Sequence, residues 1–268
     1  MLYSEVLASV TERDGAWSAA IPPSWSQGRT AFGGLQAALA VRAMRALVPA
    51  ALPLRTLQVS FIAPVPPGTV RIEARVLRTG KSATQVEARI LDAGQAACVA
   101  LGIFGATRPS AIAIDPPPPQ VARSAQQAQQ VPFLPGMMPE FVRNVEQRWA
   151  EGGFPFSGAA QPRTRIYVRL RHEPFPGPGV EGEAQVIALA DAIPSPALSL
   201  LSKPAMASSM TWTLELLTER YDAAPDGYWL MDAEVTAGGD GYLGQSAVLW
   251  SPGGRAVALS RQSVVVFG

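Results

Sequence analysis

The sequence predicts an α+β protein that uses one arrangement twice, a helix followed by roughly four antiparallel strands. The second half reads as a rewritten copy of the first. Thr56-Leu57-Gln58-Val59-Ser60-Phe61 answers Ser209-Met210-Thr211-Trp212-Thr213-Leu214, and Asp92-Ala93-Gly94-Gln95-Ala96 answers Pro252-Gly253-Gly254-Arg255-Ala256. The second pair of segments is spaced slightly further apart than the first, as a small insertion would give. Only the second copy carries a sparse set of polar residues able to do chemistry.

In the first copy Gly33-Gly34 opens the segment Leu35 to Val48, where only Gln36, Arg42 and Arg45 are strongly polar. A helix apolar on most faces must be enclosed rather than laid on a surface. Two-residue alternation then marks strands. Leu57, Val59 and Phe61 oppose Thr56, Gln58 and Ser60, while Val70, Ile72, Ala74 and Val76 oppose Arg71, Glu73 and Arg75. Val86 to Leu91 and Ala96 to Phe104 follow, and the latter is apolar on both faces, as a central strand would be. Pro116 to Pro119 and the Gln/Ala tract Ser124 to Gln130 read as a connector. The second copy resumes with a strand from Thr164 and a helix over Ala184 to Ala192. Strands at Ser209–Leu217, Tyr228–Thr236 and Leu243–Trp250 precede a last one within Arg255–Phe267, with Tyr221 to Gly227 joining the first two. The expected division is therefore 1–109, a connector over 110–160, and 161–268.

Charged residues make up 16% of the 268 and apolar ones 48%, enough for a large core. A formal net charge of +1 argues against a dedicated nucleic-acid binder. No apolar run reaches the roughly 18 residues of a membrane span. Met1-Leu2-Tyr3-Ser4-Glu5 lacks a basic region followed by an apolar stretch, so the expected location is cytoplasmic. With one cysteine, Cys98, and one histidine, His172, neither an internal disulfide nor a structural metal site is expected. Cys98 reads as core and His172 as a strand-end residue.

Phe32-Gly33-Gly34 at the head of an apolar helix, followed by Val59-Ser60-Phe61-Ile62-Ala63-Pro64-Val65-Pro66-Pro67-Gly68 and closed by Leu259-Ser260-Arg261-Gln262-Ser263-Val264, resembles the acyl-CoA thioesterase II group of the thioesterase-like superfamily. The resemblance implies a double hotdog fold, two helices each wrapped by an antiparallel sheet. It implies a thioester hydrolase of lipid metabolism that takes a small-molecule acyl-CoA substrate. No cofactor is implied, coenzyme A being part of the substrate. In that family an Asp of the second helix, a Ser or Thr at the start of the next strand and a Gln of the last strand hold the attacking water. These positions fall on Asp191, Ser209 and Gln262. Thr211 stands where well-known members carry Asp beside His, which bears on substrate binding.

The residue types suit the chemistry. Hydrolysing a thioester needs a positioned water, a proton acceptor and a donor for the developing oxyanion. Asp191 is the only charged residue of Ala184 to Ala192, and Gln262 offers a donor and an acceptor without titrating. Gly33 and Gly34 provide helix-start N–H groups as expected donors to the substrate carbonyl. The first copy lacks the set: Thr56 answers Ser209, but Gly102 answers Gln262, so one site per pair of repeats is expected. The alternative is a non-catalytic acyl-binding protein on the same fold, and a hotdog dehydratase is disfavoured by the missing histidine. By strand alternation Ser209 shares a face with Thr211 and Thr213, which an ordinary polar sheet face explains. Arg163, Arg165, Arg169 and Arg171 form a second one-sided set. They read first as charges guarding an exposed edge strand, and second as contacts for coenzyme A phosphates. Exposed sheet edges also make a homo-oligomer an expected partner state.

Overall fold

In the computed structural model, residues 1–221 and 223–267 are described; Asp222, in the connection from Tyr221 to Gly227, and Gly268 lie outside them. Three α-helices, α1 (Tyr3–Ala8), α2 (Gly33–Arg45) and α3 (Val180–Leu189), lie among fifteen strands. The first half holds β1 (Thr11–Arg13), β2 (Ala16–Ile21), β3 (Ser26–Gln27), β4 (Thr30–Ala31), β5 (Leu54–Phe61), β6 (Gly68–Thr79), β7 (Ala83–Asp92) and β8 (Gln95–Gly105). The second holds β9 (Gln129–Val131), β10 (Val145–Glu151), β11 (Arg163–Leu170), β12 (Met206–Leu216), β13 (Trp229–Gly239), β14 (Tyr242–Trp250) and β15 (Ala256–Phe267).

Thirteen strands make one antiparallel sheet in the order β1-β2-β6-β7-β8-β5-β12-β15-β14-β13-β11-β10-β9. Outward from the central β5–β12 seam, β5-β8-β7-β6-β2 repeats as β12-β15-β14-β13-β11. Leu57 faces Leu214 across that seam. The duplication is thus a double hotdog in one continuous sheet, as expected. β8 lies between β7 and β5, which explains why its side chains are apolar on both faces.

Helix α2 is enclosed almost throughout: Gly34 to Val41, Ala43 and Met44 are all buried. Gly34 marks the crossing of the two helices. A Cβ there would lie 3.1 Å from the Ala188 Cα of α3 and 2.7 Å from the Phe32 ring, so only glycine permits this approach. Phe32 is itself held by Trp25 and by Phe141, whose ring stacks on it at 4.1 Å.

Two boundaries differ from the sequence reading. The second helix ends at Leu189, after which Asp191 N–H bonds to Ala188 and Ala192 N–H to Leu189. The chain therefore leaves the α-helix through tighter three-residue turns, consistent with Pro194 just beyond, which disfavours helix at its predecessor. The span 110–160 is more than a connector: it adds β9 and β10 to the sheet and supplies Phe141 to the core. As a result β11 pairs with both β10 and β13 and is not an edge.

The arginine face of β11 is correspondingly neutralised by its neighbours. Arg163 and Arg165 pair with Asp232, Arg165 also with Glu151, and Arg169 with Glu146. Arg171 donates to the Arg143 carbonyl. Edge protection therefore does not describe this face, which ties three adjacent strands together. His172 is exposed in a left-handed turn residue at the end of β11. Cys98 is buried, and burial pushes its thiol up to about 12. Among the described residues no helix is long and apolar enough to cross a membrane.

Candidate active site

Asp191, Ser209 and Gln262 come from three separate elements and meet beside the first turn of α2. Gln262 is buried on β15 and donates from Nε2 to Asp191 Oδ1 at 2.6 Å. Ser209 on β12 donates from Oγ to Gln262 Oε1 at 3.1 Å. Asp191, two residues beyond α3, is partly buried and also accepts the Gly34 N–H of α2.

Strand alternation alone would put Ser209 on the outer sheet face with Thr211 and Thr213. A β-bulge prevents this. Ser209 opposes Val264 and Thr211 opposes Ser263, so β12 advances two residues while β15 advances one. Met210 takes up the extra position. Ser209 therefore shares the inner face with Val264, Trp212 and Gln262, which are buried. Thr211 stays on the outer face and is exposed. Thr211, expected to take part in substrate binding, is thus set apart from the other three: the bulge that brings Ser209 in leaves Thr211 out.

Gly33 and Gly34 are at the site, in a role that differs from the expected one. Phe32, the residue before α2, gives no side-chain cap, and the Gly34 N–H is taken by the Asp191 carboxylate. Asp191 thus caps α2 from another element, with the helix N-terminus favouring its charge. Gly33 makes room for it. A Cβ at Gly33 would lie 2.8 Å from Asp191 Oδ2 and 3.1 Å from the Phe61 ring.

Burial pushes the Asp191 carboxyl up to about 6, with the Gln262 and Gly34 hydrogen bonds opposing the rise. A carboxylate placed there is a base matched to neutral water chemistry. Two further residues extend the network and were not singled out by sequence reasoning. Gln245 of β14 donates from Nε2 to Gln262 Oε1 at 2.8 Å, and Ser195 donates to Gln245 Oε1 at 2.6 Å. The advance signal for Gln245 was inward alternation on β14, which polar residues of exposed strands also show, and Ser195, between two prolines after α3, carried none. Among the described residues no three His, Cys, Asp or Glu side chains gather where a metal ion could be held.

The first repeat offers a mirror position and closes it. The same bulge recurs on β5, where Leu54 opposes Phe104 and Thr56 opposes Ile103. Aligned on the two bulges, Ser209 corresponds to Leu54 rather than Thr56, and Gln262 to Gly102. A Cβ at Gly102 would lie 2.7 Å from Met44 Sδ and 3.4 Å from Leu54 Cδ1, so Met44 and Leu54 fill the space. Alongside, Arg45 and Glu183 form a buried ion pair that also receives the Leu54 N–H. Two surface cavities of about 370 and 240 Å³, beside Trp149 and Lys81, are lined by none of Asp191, Ser209 and Gln262.

Comparison with known proteins agrees with this architecture. Residues 21–105 match the family profile described as the acyl-CoA thioesterase N-terminal domain, and residues 117–266 match the acyl-CoA thioesterase C-terminal domain. Among solved structures, a hot dog fold protein of unknown function from Alicyclobacillus acidocaldarius superposes with a TM-score of 0.85 at 21% identity, covering 99% of this chain and 98% of that one. A putative thioesterase II from Thermobifida fusca gives 0.82 at 20% identity, covering 99% and 97%. An acyl-CoA thioesterase II from Mycobacterium marinum gives 0.77 at 14% identity, covering 99% and 98%. Comparison with curated proteins gave no match.

Proposed function

The chain belongs to the acyl-CoA thioesterase family, and on that premise we propose that it hydrolyses the thioester of an acyl-CoA with water activated at Asp191. The observation that supports this reading is convergence. A carboxylate raised to about 6, an amide and a hydroxyl from three elements form one hydrogen-bonded group at a helix N-terminus.

In this mechanism Asp191 accepts a proton from water as the water oxygen bonds to the thioester carbonyl carbon. Ser209 and the second Nε2 hydrogen of Gln262 orient that water. The positive end of α2 stabilises the oxyanion that develops on the carbonyl oxygen. Collapse of the tetrahedral intermediate breaks the C–S bond, and the proton held by Asp191 leaves on the coenzyme A thiol. The products are a carboxylic acid and free coenzyme A. Because the base works ionised, the rate rises with pH through about 6 and then levels.

The test is release of free thiol from a panel of short, medium, long and aromatic acyl-CoAs. Turnover of at least one class, lost on Asp191→Asn, supports the reading. Binding of acyl-CoA without thiol release across the panel would make this a binding protein.

A further inference from the structure

We infer that Gln245, backed by Ser195, is a positioning residue that fixes which end of the Gln262 amide faces Asp191. The inference rests on the hydrolytic reading above and deepens it. A glutamine amide can sit either way round, and only one orientation presents Nε2 to the carboxylate. The reverse would set Oε1 against the Asp191 oxygens. Ser209 cannot enforce the choice, since a hydroxyl donates or accepts as its neighbour requires.

Gln245 can. It lies directly across from Gln262 in the β14–β15 register, and its Nε2 donates to Gln262 Oε1 at 2.8 Å. Its Oε1 in turn accepts from Ser195 Oγ at 2.6 Å. The Ser195 oxygen also accepts the Ala197 N–H at 3.3 Å. The hydrogen-bonded chain therefore runs from Ser195 through Gln245 and Gln262 to Asp191, and the Gln245 donor adds to the preference of the acceptor-only carboxylate for the Nε2 end of Gln262. Both ends of this chain lie on the segment 191–195 that follows α3, so the relay is closed by covalent connection.

The groups that act on the Asp191 charge are the Gln262 amide and the Gly34 N–H, with no charged side chain among them. Gly33 packs against the same carboxylate. Loss of the Gln245 donor lets Gln262 turn over and removes one of the two hydrogen bonds that keep the carboxylate ionised. The acid limb of the pH–rate profile should move up.

The test uses Gln245→Met, of similar volume without polar ends, and Ser195→Ala. For Gln245→Met, kcat/KM should fall about tenfold at pH 5 and stay within about twofold of wild type at pH 8.5, an upward shift of about one pH unit in the midpoint. Ser195→Ala should move the midpoint less, and should add nothing in the Gln245→Met background. A packing role would lower the whole profile without moving its midpoint. NMR titration of ¹³C-carboxyl-labelled aspartate, assigned with Asp191→Asn, reads the same shift without turnover. If no acyl-CoA is hydrolysed, the functional reading fails while the titration still decides this inference. An Asp191 midpoint unchanged in Gln245→Met overturns it.

Discussion

Replacing Asp191 with Asn should remove activity and shift the stability balance toward the variant as pH rises. The carboxyl is held at about 6 in the folded chain against an ordinary 3.8. At 1.36 kcal/mol per pH unit, that gap is worth about 3 kcal/mol. The sign follows from proton binding: with the folded value raised, the folded state holds its proton over a range where the unfolded chain has lost it. The stability associated with Asp191 is therefore full below 3.8 and lost as pH rises through about 6. Asn carries no such dependence. The stability difference between variant and wild type should grow in favour of Asn by about 2 to 3 kcal/mol from pH 4 to pH 8 and then stay level. Asn accepts well from only one of Gln262 and Gly34, and the other donor left without a partner costs about 1–3 kcal/mol at every pH. That offset lowers the curve without changing its shape. Urea unfolding of both proteins at pH 4, 5, 6, 7 and 8 measures it, and thiol release should fall by about 10²–10⁴-fold in the same variant. Parallel stability curves over this range would refute the buried carboxylate, and retained hydrolysis would refute its role as base.

Gly33→Ala should fold yet lose activity, by about 10- to 100-fold in kcat/KM, because its Cβ would lie 2.8 Å from Asp191 Oδ2 and displace the carboxylate. Steady-state kinetics beside a thermal melt separates this from unfolding. Arg45→Ala strands Glu183 in the interior and should cost about 3–5 kcal/mol, whereas Arg45→Met with Glu183→Leu recovers most of it; denaturant unfolding at pH 7 compares them. For Glu146, burial pushes the carboxyl up, but hydrogen bonds from Tyr228, Arg169 and Arg148 outweigh that and hold it down to about 2. With its folded value lowered, its contribution is present above 4.5 and lost as pH falls toward 2. Glu146→Gln should therefore be less stable by about 2–3 kcal/mol at pH 7, with roughly a quarter of that difference left at pH 2.5, as denaturant unfolding measures.

The elements that sequence reveals best are those whose side chains obey a single period. Leu57, Val59 and Phe61 announce β5, and the unbroken apolar run of α2 announces an enclosed helix, because burial imposes those patterns without reference to any partner strand. Ser209 is hidden for the opposite reason. Its face is decided by one extra residue at Met210, and a bulge is a property of two strands in register, absent from either strand read alone. The arginines of β11 were misread on the same ground. Alternation shows that they share a face, while the identity of the neighbours depends on β10, whose charged Glu146, Arg148 and Glu151 look like part of a loop. Asp191, Ser209 and Gln262 were found only through family resemblance, since each residue alone fits a bland role.

The two bulges explain why the duplicated fold gathers the polar set in only one of its halves. Symmetry supplies each half with the same kink in the strand beside the seam, at Ser209 in one and Leu54 in the other. Each kink turns one side chain inward toward the end of a helix. In the second half that inward position is polar and faces Gln262. In the first it is apolar and faces Gly102, with Met44 packed into the gap. A second polar set in the first half would bury a carboxylate with no cation beside it, unlike Glu183, adding a cost of the same order as that at Asp191, about 3 kcal/mol. Filling the mirror position with Met44 and Leu54 avoids that cost and adds apolar burial instead.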